Sequence, residues 1–231
     1  MYDSPEQFEP LLPSPAKQEP LLAKAHDLAR AATALALAGR PVPPDLRALL
    51  RAMNSYYSNR IEGQHTRPLE LEQALRRDFS ADALLAARQR LAIAHIDTEV
   101  AIEARYATPA DAAALYTPQA VQEIHTALFC RLPASDLNTT PGLSMQPGQL
   151  RKRQVSVGRH AAPKANSLGA LLDRWATFYG GVRRGDASLV AMAAAHQRLG
   201  WIHPFMDGNG CVMRLHSHAL LSALGYTGGT V

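Results

Sequence analysis

One stretch near the end of the 231-residue chain combines residue types that suit phosphoryl chemistry. It covers residues 203–214 and reads His-Pro-Phe-Met-Asp-Gly-Asn-Gly-Cys-Val-Met-Arg. Gly208 and Gly210 take side chains away from a loop that leads into a helix, so backbone N–H groups can converge there on a ligand. The positive end of the helix dipole adds to this effect. The segment therefore predicts a site for an anion, most naturally a phosphate.

Three side chains beside this loop could supply the other parts of phosphoryl transfer. Asp207 stands at the rim, where a carboxylate can hold a divalent cation against phosphate oxygens. Arg214 falls about one turn into the helix, where its guanidinium could reach a terminal phosphate. His203 offers an imidazole that can accept a proton from an attacking hydroxyl group. Each residue alone has a commoner structural role, as a cap, a turn residue or a solvated side chain, but the combination favours transfer chemistry.

These residues resemble the Fic motif, HxFx(D/E)GNGRxxR. A match at eight fixed positions arises by chance about once in 10¹⁰ positions, so the motif is specific. Residues 193–202 and 147–158 are also similar to the family, and the resemblance covers about residues 117–226. The eight matching residues are His203, Pro204, Phe205, Asp207, Gly208, Asn209, Gly210 and Arg214.

The resemblance implies a protein adenylyltransferase, which moves AMP from ATP onto a Ser, Thr or Tyr hydroxyl of another protein, here an unknown target. By the same resemblance His203 is the general base and Asp207 holds Mg²⁺. Val155, Ser156 and Val157 would form a flap that docks the target by β-strand addition. The implied nucleotide-binding residues are Gly208, Asn209, Gly210, Cys211 and Arg214.

A second pattern lies upstream, where residues 58–63 read Ser-Asn-Arg-Ile-Glu-Gly. A helix end capped by Gly63 would explain this pattern without any function. Glu62, however, stands in the last turn, where its negative charge opposes the helix dipole, and a local rule broken in this way suggests a functional reason. The segment resembles the inhibitory pattern of the Fic family, (S/T)xxxE(G/N), which begins here at Ser58. The resemblance implies that Glu62 pairs with Arg214 and denies it to the γ-phosphate of ATP.

Cys211 departs from the family motif, which usually has arginine at this position. The loss of one charged hydrogen bond costs roughly 1.5–3 kcal/mol. Three interpretations follow: the remaining groups suffice, the chain is a nucleotide-binding regulatory module with degenerate activity, or Cys211 is a redox-sensitive thiol whose pKa is lowered at the helix N-terminus. A Fic enzyme with different chemistry, such as phosphorylation or UMP transfer, is a further alternative, and whether the chain also removes AMP stays open.

The elements that position these residues are predicted to be helices, because alanine and leucine dominate and β-branched residues are sparse. The fold class is all-α, and the resemblance implies the Fic fold, a helical bundle with a short β-hairpin flap. We expect an N-terminal helical region over residues 1–110, which carries the inhibitory helix at about 44–63, and a catalytic core over 111–231. Prolines predict an extended lead-in over the first ~18 residues. The predicted helices cover residues 19–38, 44–62, 68–77, 80–106, 117–131, 167–182, 188–202 and 209–224, with one short β element at 155–157.

Charge, cysteine content and residue spacing indicate which partners and which cellular location to expect. The net charge of +4 is mild, and the basic cluster Arg151-Lys152-Arg153 is predicted to be a solvated loop, so nucleic acid is not expected as a partner. Two cysteines and the lack of a recognisable signal peptide or membrane span favour a cytoplasmic protein without a membrane partner. His216 and His218 point to different faces of a helix and are not expected to share a metal ion. A homodimer, and whether the chain is complete at its C-terminus, stay open.

Overall fold

Helices form most of the chain, as its alanine and leucine content predicts. The computed structural model describes residues 4–38, 42–140, 143–181 and 185–227. Short 3₁₀ turns lie at Pro5–Phe8, Pro109–Asp111, Ala134–Leu137 and Ala165–Ser167. The predicted all-α class is confirmed. The nine α-helices in the described ranges are α1 Pro15–Leu37, α2 Pro44–Ile61, α3 Pro68–Leu75, α4 Ala83–Arg105, α5 Ala112–Leu115, α6 Pro118–Phe129, α7 Leu168–Tyr179, α8 Asp186–Ile202 and α9 Asn209–Ala223.

Two small antiparallel sheets lie between α6 and α7. One is the predicted hairpin, whose strands are β3 (Ser156–Val157) and β4 (His160–Ala161). Its turn contains Gly158 at φ +57°, a left-handed conformation that glycine adopts without strain. The other sheet pairs β1 (Asn138–Thr140) with β2 (Leu143–Ser144). It was not predicted, because its strands are very short and turn-forming residues surround them.

Several helix ends follow the local signals in the sequence. The Thr117 hydroxyl accepts a hydrogen bond from the backbone N–H of Ala120 (3.1 Å), which makes Thr117 the predicted N-cap of α6. At the end of α2, Glu62 is the C-cap and Gly63 has φ +75°, so the predicted stop at Gly63 is confirmed. The predicted end of the helix that reaches Val182 lies outside the described residues.

The prediction of an extended lead-in is wrong for part of the N-terminus. Helix α1 begins at Pro15, because proline fits the first helical position, where its missing N–H would have no partner. Pro20 is accommodated inside the helix. Upstream, Phe8 and Leu11 are fully buried, and the Phe8 ring packs 5.3 Å from that of Trp201. Burial of apolar side chains therefore orders a segment that its prolines alone would leave extended.

The main core lies between helices α4, α6, α7, α8 and α9. Its largest fully buried side chains include Trp175, Tyr179 and Phe205. Trp175 donates its indole N–H to the carbonyl oxygen of Ala195 (3.0 Å), which satisfies its polar atom inside this core. The core holds α8 and α9 side by side, and the loop that joins them carries the motif residues.

Helix α2 packs against α4 and α9 mainly through polar groups. Ser55, Ser58 and Asn59 are buried there, and the Ser55 hydroxyl donates to the carbonyl oxygen of Ala92 (2.8 Å). A small apolar cluster that contains Ala52 and Leu71 adds to the contact. The helix is therefore docked by hydrogen bonds and charge more than by apolar burial.

A group of charged residues anchors the middle of α2. Arg51 pairs with Glu99 and Glu103 on α4, and His218 on α9 lies 2.6 Å from Glu103. Ligand atoms of Glu99, Glu103 and His218 lie within 4.8 Å of one another, a spacing that a metal ion could bridge. Arg51 already supplies positive charge to these carboxylates, so the structure favours an ion-pair network here.

The other histidine on this helix has a purely internal role. His216 is buried and donates to the carbonyl oxygen of Leu115 (2.8 Å), away from His218. Of the described helices, none has both the length and the apolar character that crossing a membrane would require.

Candidate functional site

The loop at residues 203–208 connects α8 to α9, and two close contacts require glycine, one at the end of the loop and one in the first turn of α9. Gly208 has φ +74°, and a Cβ atom added to it would lie 2.3 Å from the Phe129 ring. A Cβ atom on Gly210 would lie 1.8 Å from Oε1 of Glu62. Gly208 is therefore required by the loop itself, and Gly210 by the close approach of a carboxylate from α2.

Two side chains hold the loop in shape. Asn209 accepts from the backbone N–H of Phe205 and donates to its carbonyl oxygen, both at 2.9 Å. The buried His125 ring stacks on the Phe205 ring at 3.9 Å, and its Nε2 donates to the carbonyl oxygen of Asp207 (3.3 Å). Gly148 donates its N–H to Nδ1 of His125 (2.8 Å), which fixes the tautomer. Burial lowers the pKa of His125 to about 4, so it is neutral at physiological pH.

His203 directly follows α8 and has a left-handed backbone, with φ 52°. Its Nδ1 lies 3.4 Å from the carbonyl oxygen of Gly200. A proton on Nδ1 directed at this oxygen leaves Nε2 as the basic nitrogen. Partial burial lowers the pKa of His203, and the nearby positive charges of Arg151 and His160 lower it further. The ring is therefore neutral near pH 7, as a general base must be.

Arg151 clamps the backbone around His203. Its guanidinium donates to the carbonyl oxygens of His203 (2.7 Å), Arg153 (2.9 Å) and Pro163 (2.6 Å). Its backbone N–H donates to the carbonyl oxygen of Pro204 (2.9 Å), and Arg151 is only 3% exposed. The prediction of a solvated basic loop is therefore wrong for Arg151, although Lys152 and Arg153 are exposed. The clamp joins the loop at residues 203–208 to both sides of the β3–β4 hairpin.

Asp207 lies at the exposed rim beside the start of α9. One carboxylate oxygen accepts the N–H of Gly208 (2.6 Å). Surrounding protein atoms reduce the solvation of the carboxylate and raise its pKa, and the negative charge of Glu62 raises it further. An exposed carboxylate beside a second negative charge favours a bound cation, so Asp207 fits the role of a ligand for a metal such as Mg²⁺.

Glu62 and Arg214 meet over the first turn of α9. Glu62 Oε1 lies 2.6 Å from a guanidinium nitrogen of Arg214, and the two side chains are 37% and 21% exposed. Ser58 adds two contacts to this arginine: its hydroxyl accepts from Nε (2.9 Å), and its carbonyl oxygen accepts from the terminal nitrogen (3.2 Å). The C-terminal turn of α2 therefore occupies the arginine and places a carboxylate beside Gly210.

Cys211 faces α2. Its thiol lies 3.8 Å from the Ser58 hydroxyl and 3.9 Å from Oδ1 of Asn59, and the residue is 3% exposed. Burial raises the pKa of this thiol. The interpretation of Cys211 as a redox-sensitive, low-pKa thiol is therefore wrong, because desolvation outweighs the helix dipole at this position.

The β3–β4 hairpin stands across a cavity from the loop. Val157 and His160 line this cavity of about 470 Å³ together with His203, Gly210 and Glu62. His160 donates to the carbonyl oxygen of Trp201 (2.8 Å), which ties the hairpin to the last turn of α8. Val157 is 49% exposed, and the hairpin therefore presents an edge to solvent next to the imidazole.

The structure thus gathers most of the predicted site residues around the first turn of α9. Two departures concern side chains: that of Asn209 is engaged within the loop, and that of Cys211 points to α2. Sequence reasoning missed His125 and the clamp formed by Arg151. The similarity of residues 147–158 to the Fic family was the only signal that touched Arg151, and no spacing rule pointed to His125.

Known proteins that are similar to this chain are Fic proteins. Residues 115–221 match the family model described as Fic/DOC family. A segment of 80 residues is 39% identical to proteins named protein adenylyltransferase Fic from Drosophila ananassae and Drosophila persimilis. This segment covers 34% of the chain but only 16% of those relatives.

Two solved structures share the fold. A Fic family protein from Desulfovibrio desulfuricans G20 has a TM-score of 0.67 and 23% sequence identity, over 94% of this chain and 61% of that one. A Fic domain containing signaling protein from Bacteroides thetaiotaomicron VPI-5482 has a TM-score of 0.63 and 16% identity, over 85% of this chain and 72% of that one. At these identities the likeness concerns the fold alone.

Proposed function

Because residues 115–221 of this chain form a domain of the Fic/DOC family, we propose that the chain is a protein adenylyltransferase, which transfers AMP from ATP to a hydroxyl group of another protein. One observation carries the proposal: the neutral imidazole of His203 and the glycine-lined first turn of α9 border the same cavity. Attack on a phosphate requires a base and an anion site that border one cavity in this way.

The reaction follows from the positions of these groups. His203 Nε2 accepts the proton of a target Ser, Thr or Tyr hydroxyl, and the oxygen attacks the α-phosphorus of ATP. The bond from that phosphorus to the bridging oxygen breaks, and pyrophosphate leaves. The N–H groups at the start of α9, from Asn209 to Cys211, have no partner within the helix and can stabilise the phosphate charge. Asp207 would hold Mg²⁺, which supplies further neutralisation of the phosphates when bound.

The β3–β4 hairpin is the proposed docking surface for the target. Val155, Ser156 and Val157 lead along its first strand, and Val157 borders the cavity. An extended target segment that adds to this hairpin through backbone hydrogen bonds would present a hydroxyl to His203. Such docking depends little on side chains, so it is compatible with several target sequences.

Autoinhibition by α2 is the second part of the proposal. Glu62 lies against Gly210, so its carboxylate fills space that a terminal phosphate would need. It also pairs with the Arg214 guanidinium, which that phosphate would need as a partner. ATP bound beside Glu62 would be displaced from the geometry that attack requires. The region at 1–110 would then regulate a catalytic core at 111–231.

The test uses the Glu62→Gly variant with Mg²⁺ and ATP labelled at the α-phosphate. We expect labelled protein from this variant and little label from the unmodified chain, with modification by AMP confirmed by mass spectrometry. The matched control is Glu62→Gly combined with His203→Asn, because asparagine tolerates the left-handed backbone at this position. Transfer of a γ-phosphate label, or a preference for UTP, would indicate the other chemistries. If no variant is labelled although ATP binds, the proposal is wrong.

A nucleotide-binding module with little transferase activity is the second candidate. Cys211 favours it, because a neutral, buried thiol stands where the family usually has arginine. The discriminating comparison is Cys211→Arg in the Glu62→Gly background, with urea unfolding measured beside the labelling assay. A large gain in labelling by a folded variant would mean that the natural chain has a degenerate site. Equal labelling would mean that the remaining groups suffice.

A further inference from the structure

The outer face of α2 carries a row of exposed apolar side chains. Leu49 and Tyr57 are each 55% exposed, and Met53 between them is 43% exposed. Leu46 and Ile61 extend the row at 45% and 69% exposure. The spacings of three and four residues place all five on one side of the helix. At 1.5 Å per residue the row is about 22 Å long.

This arrangement is the reverse of an ordinary surface helix, which buries its apolar side and exposes its polar side. Here Ser55, Ser58 and Asn59 are buried against α4 and α9, on the opposite side of α2 from Met53. The apolar row therefore lies on the side of α2 that faces away from the α4 and α9 contact, and much of it stays exposed. A contiguous exposed row of this kind indicates an interaction surface.

The row is nearly symmetric about Met53. Leu49 and Tyr57 lie four residues to either side, and Leu46 and Ile61 lie seven and eight residues to either side. Two such helices, placed antiparallel on a two-fold axis at Met53, would bring Leu49 of each to the level of Tyr57 of the other, and Leu46 to the level of Ile61. Self-complementarity of this type is what an isologous interface between identical chains requires.

Charges at the ends of the row match the same arrangement. Asp45 and Arg60 are exposed and lie on the same flank of the row, about 60° apart around the helix. In an antiparallel two-fold pair, like flanks face each other, so Asp45 of one copy would lie beside Arg60 of the other, twice. Within its own chain Arg60 donates to the neutral hydroxyl of Tyr56 (2.9 Å), which leaves its charge available.

We propose that the outer face of α2 is the interface for a second copy of this chain, paired antiparallel about Met53. The apolar row supplies the buried contact and the two Asp45–Arg60 pairs set the direction of the helices. One helix per chain is a small interface, so the dimer is reversible and depends on concentration. The proposal concerns assembly and does not depend on the transferase activity.

Sedimentation velocity of the full chain, from low to high micromolar concentration, tests the interface. We expect a concentration-dependent dimer that Met53→Glu abolishes. Asp45→Arg and Arg60→Asp should each weaken self-association by about tenfold or more, because like charges then face each other. An equal mixture of these two variants should form heterodimers, because each Arg then faces an Asp.

Leu28→Glu on the exposed face of α1 is the matched control and should leave the dimer unchanged, since Leu28 is 46% exposed but lies on another helix. Circular dichroism should show that every variant is folded. The proposal is overturned if the chain is monomeric at every concentration or if Met53→Glu leaves the dimer intact. It is equally overturned if Leu28→Glu has the same effect as Met53→Glu, or if the mixed charge variants fail to associate.

Discussion

Replacing Gly210 by alanine should affect stability differently in the presence and in the absence of the Glu62 side chain. Gly210 is the second residue of α9, and alanine in a helix is favoured over glycine by about 0.5–1 kcal/mol. In the unmodified chain, however, the new methyl carbon would lie 1.8 Å from Oε1 of Glu62. The carboxylate must then leave Arg214, which costs about 0.5–1 kcal/mol for a partly exposed pair.

We therefore expect Gly210→Ala to be neutral or destabilising in the unmodified chain, and stabilising by about 0.5–1 kcal/mol in the Glu62→Ala background. The coupling between the two positions should equal the cost of the lost pair, about 0.5–1 kcal/mol. Urea unfolding of the four proteins, with unchanged dependence on denaturant, measures this directly.

Gly169→Ala is the matched control for this cycle. Gly169 is also the second residue of its helix, α7, and an added Cβ atom would meet nothing within 4 Å. It should be stabilising to the same extent in both backgrounds. If Gly210→Ala also gives equal changes in both backgrounds, within about 0.3 kcal/mol, the close approach of Glu62 to α9 is refuted.

Two further predictions concern buried groups. Arg151→Met should lower the free energy of unfolding by about 3 kcal/mol in urea denaturation, because several buried carbonyl oxygens lose their donor, whereas Arg153→Met should change it by less than about 0.5 kcal/mol; equal effects would contradict the clamp. Burial lowers the pKa of His125 and His216 to about 4, whereas the ordinary pKa of histidine is near 6.5. Between these two pH values the unfolded chain therefore binds more protons than the folded chain. The free energy of unfolding should have its full value above that window. It should fall as the pH drops through the window, by about 1.4 kcal/mol per pH unit for each histidine. The raised pKa values of Glu99 and Asp207, caused by burial, oppose this trend only in part, and a flat profile in urea unfolding between pH 6.5 and 4.5 would contradict the prediction.

The parts of the fold that sequence could predict are those with local causes. The end of α2 follows from Gly63, and the start of α6 follows from the Thr117 hydroxyl, because each signal acts within one helical turn. The proximity of Glu62 to Arg214, which are 152 positions apart, came from resemblance to a family and from no rule of spacing.

The rest depends on contacts between distant segments. The two basic residues after Arg151 predict a solvated side chain, yet its guanidinium is buried and donates to carbonyl oxygens as far away as His203. Cys211 stands at a helix N-terminus, where sequence predicts a lowered pKa, but α2 covers it and desolvation reverses the shift. In both cases burial by another element determines the environment of the side chain, and the neighbouring residues in the sequence do not predict that burial.

The reversed polarity of α2 also affects how its docking should respond to temperature. Release of an ordinary helix exposes apolar surface and raises the heat capacity, whereas exposure of polar surface lowers it. Release of α2 would hydrate Ser55, Ser58 and Asn59, with only a small apolar contribution from the cluster around Ala52. The two contributions nearly cancel, so the docking enthalpy should stay almost constant with temperature. The balance between docked and released α2 would therefore follow a nearly straight van't Hoff line, and release would expose mostly polar groups on the inner side of the helix.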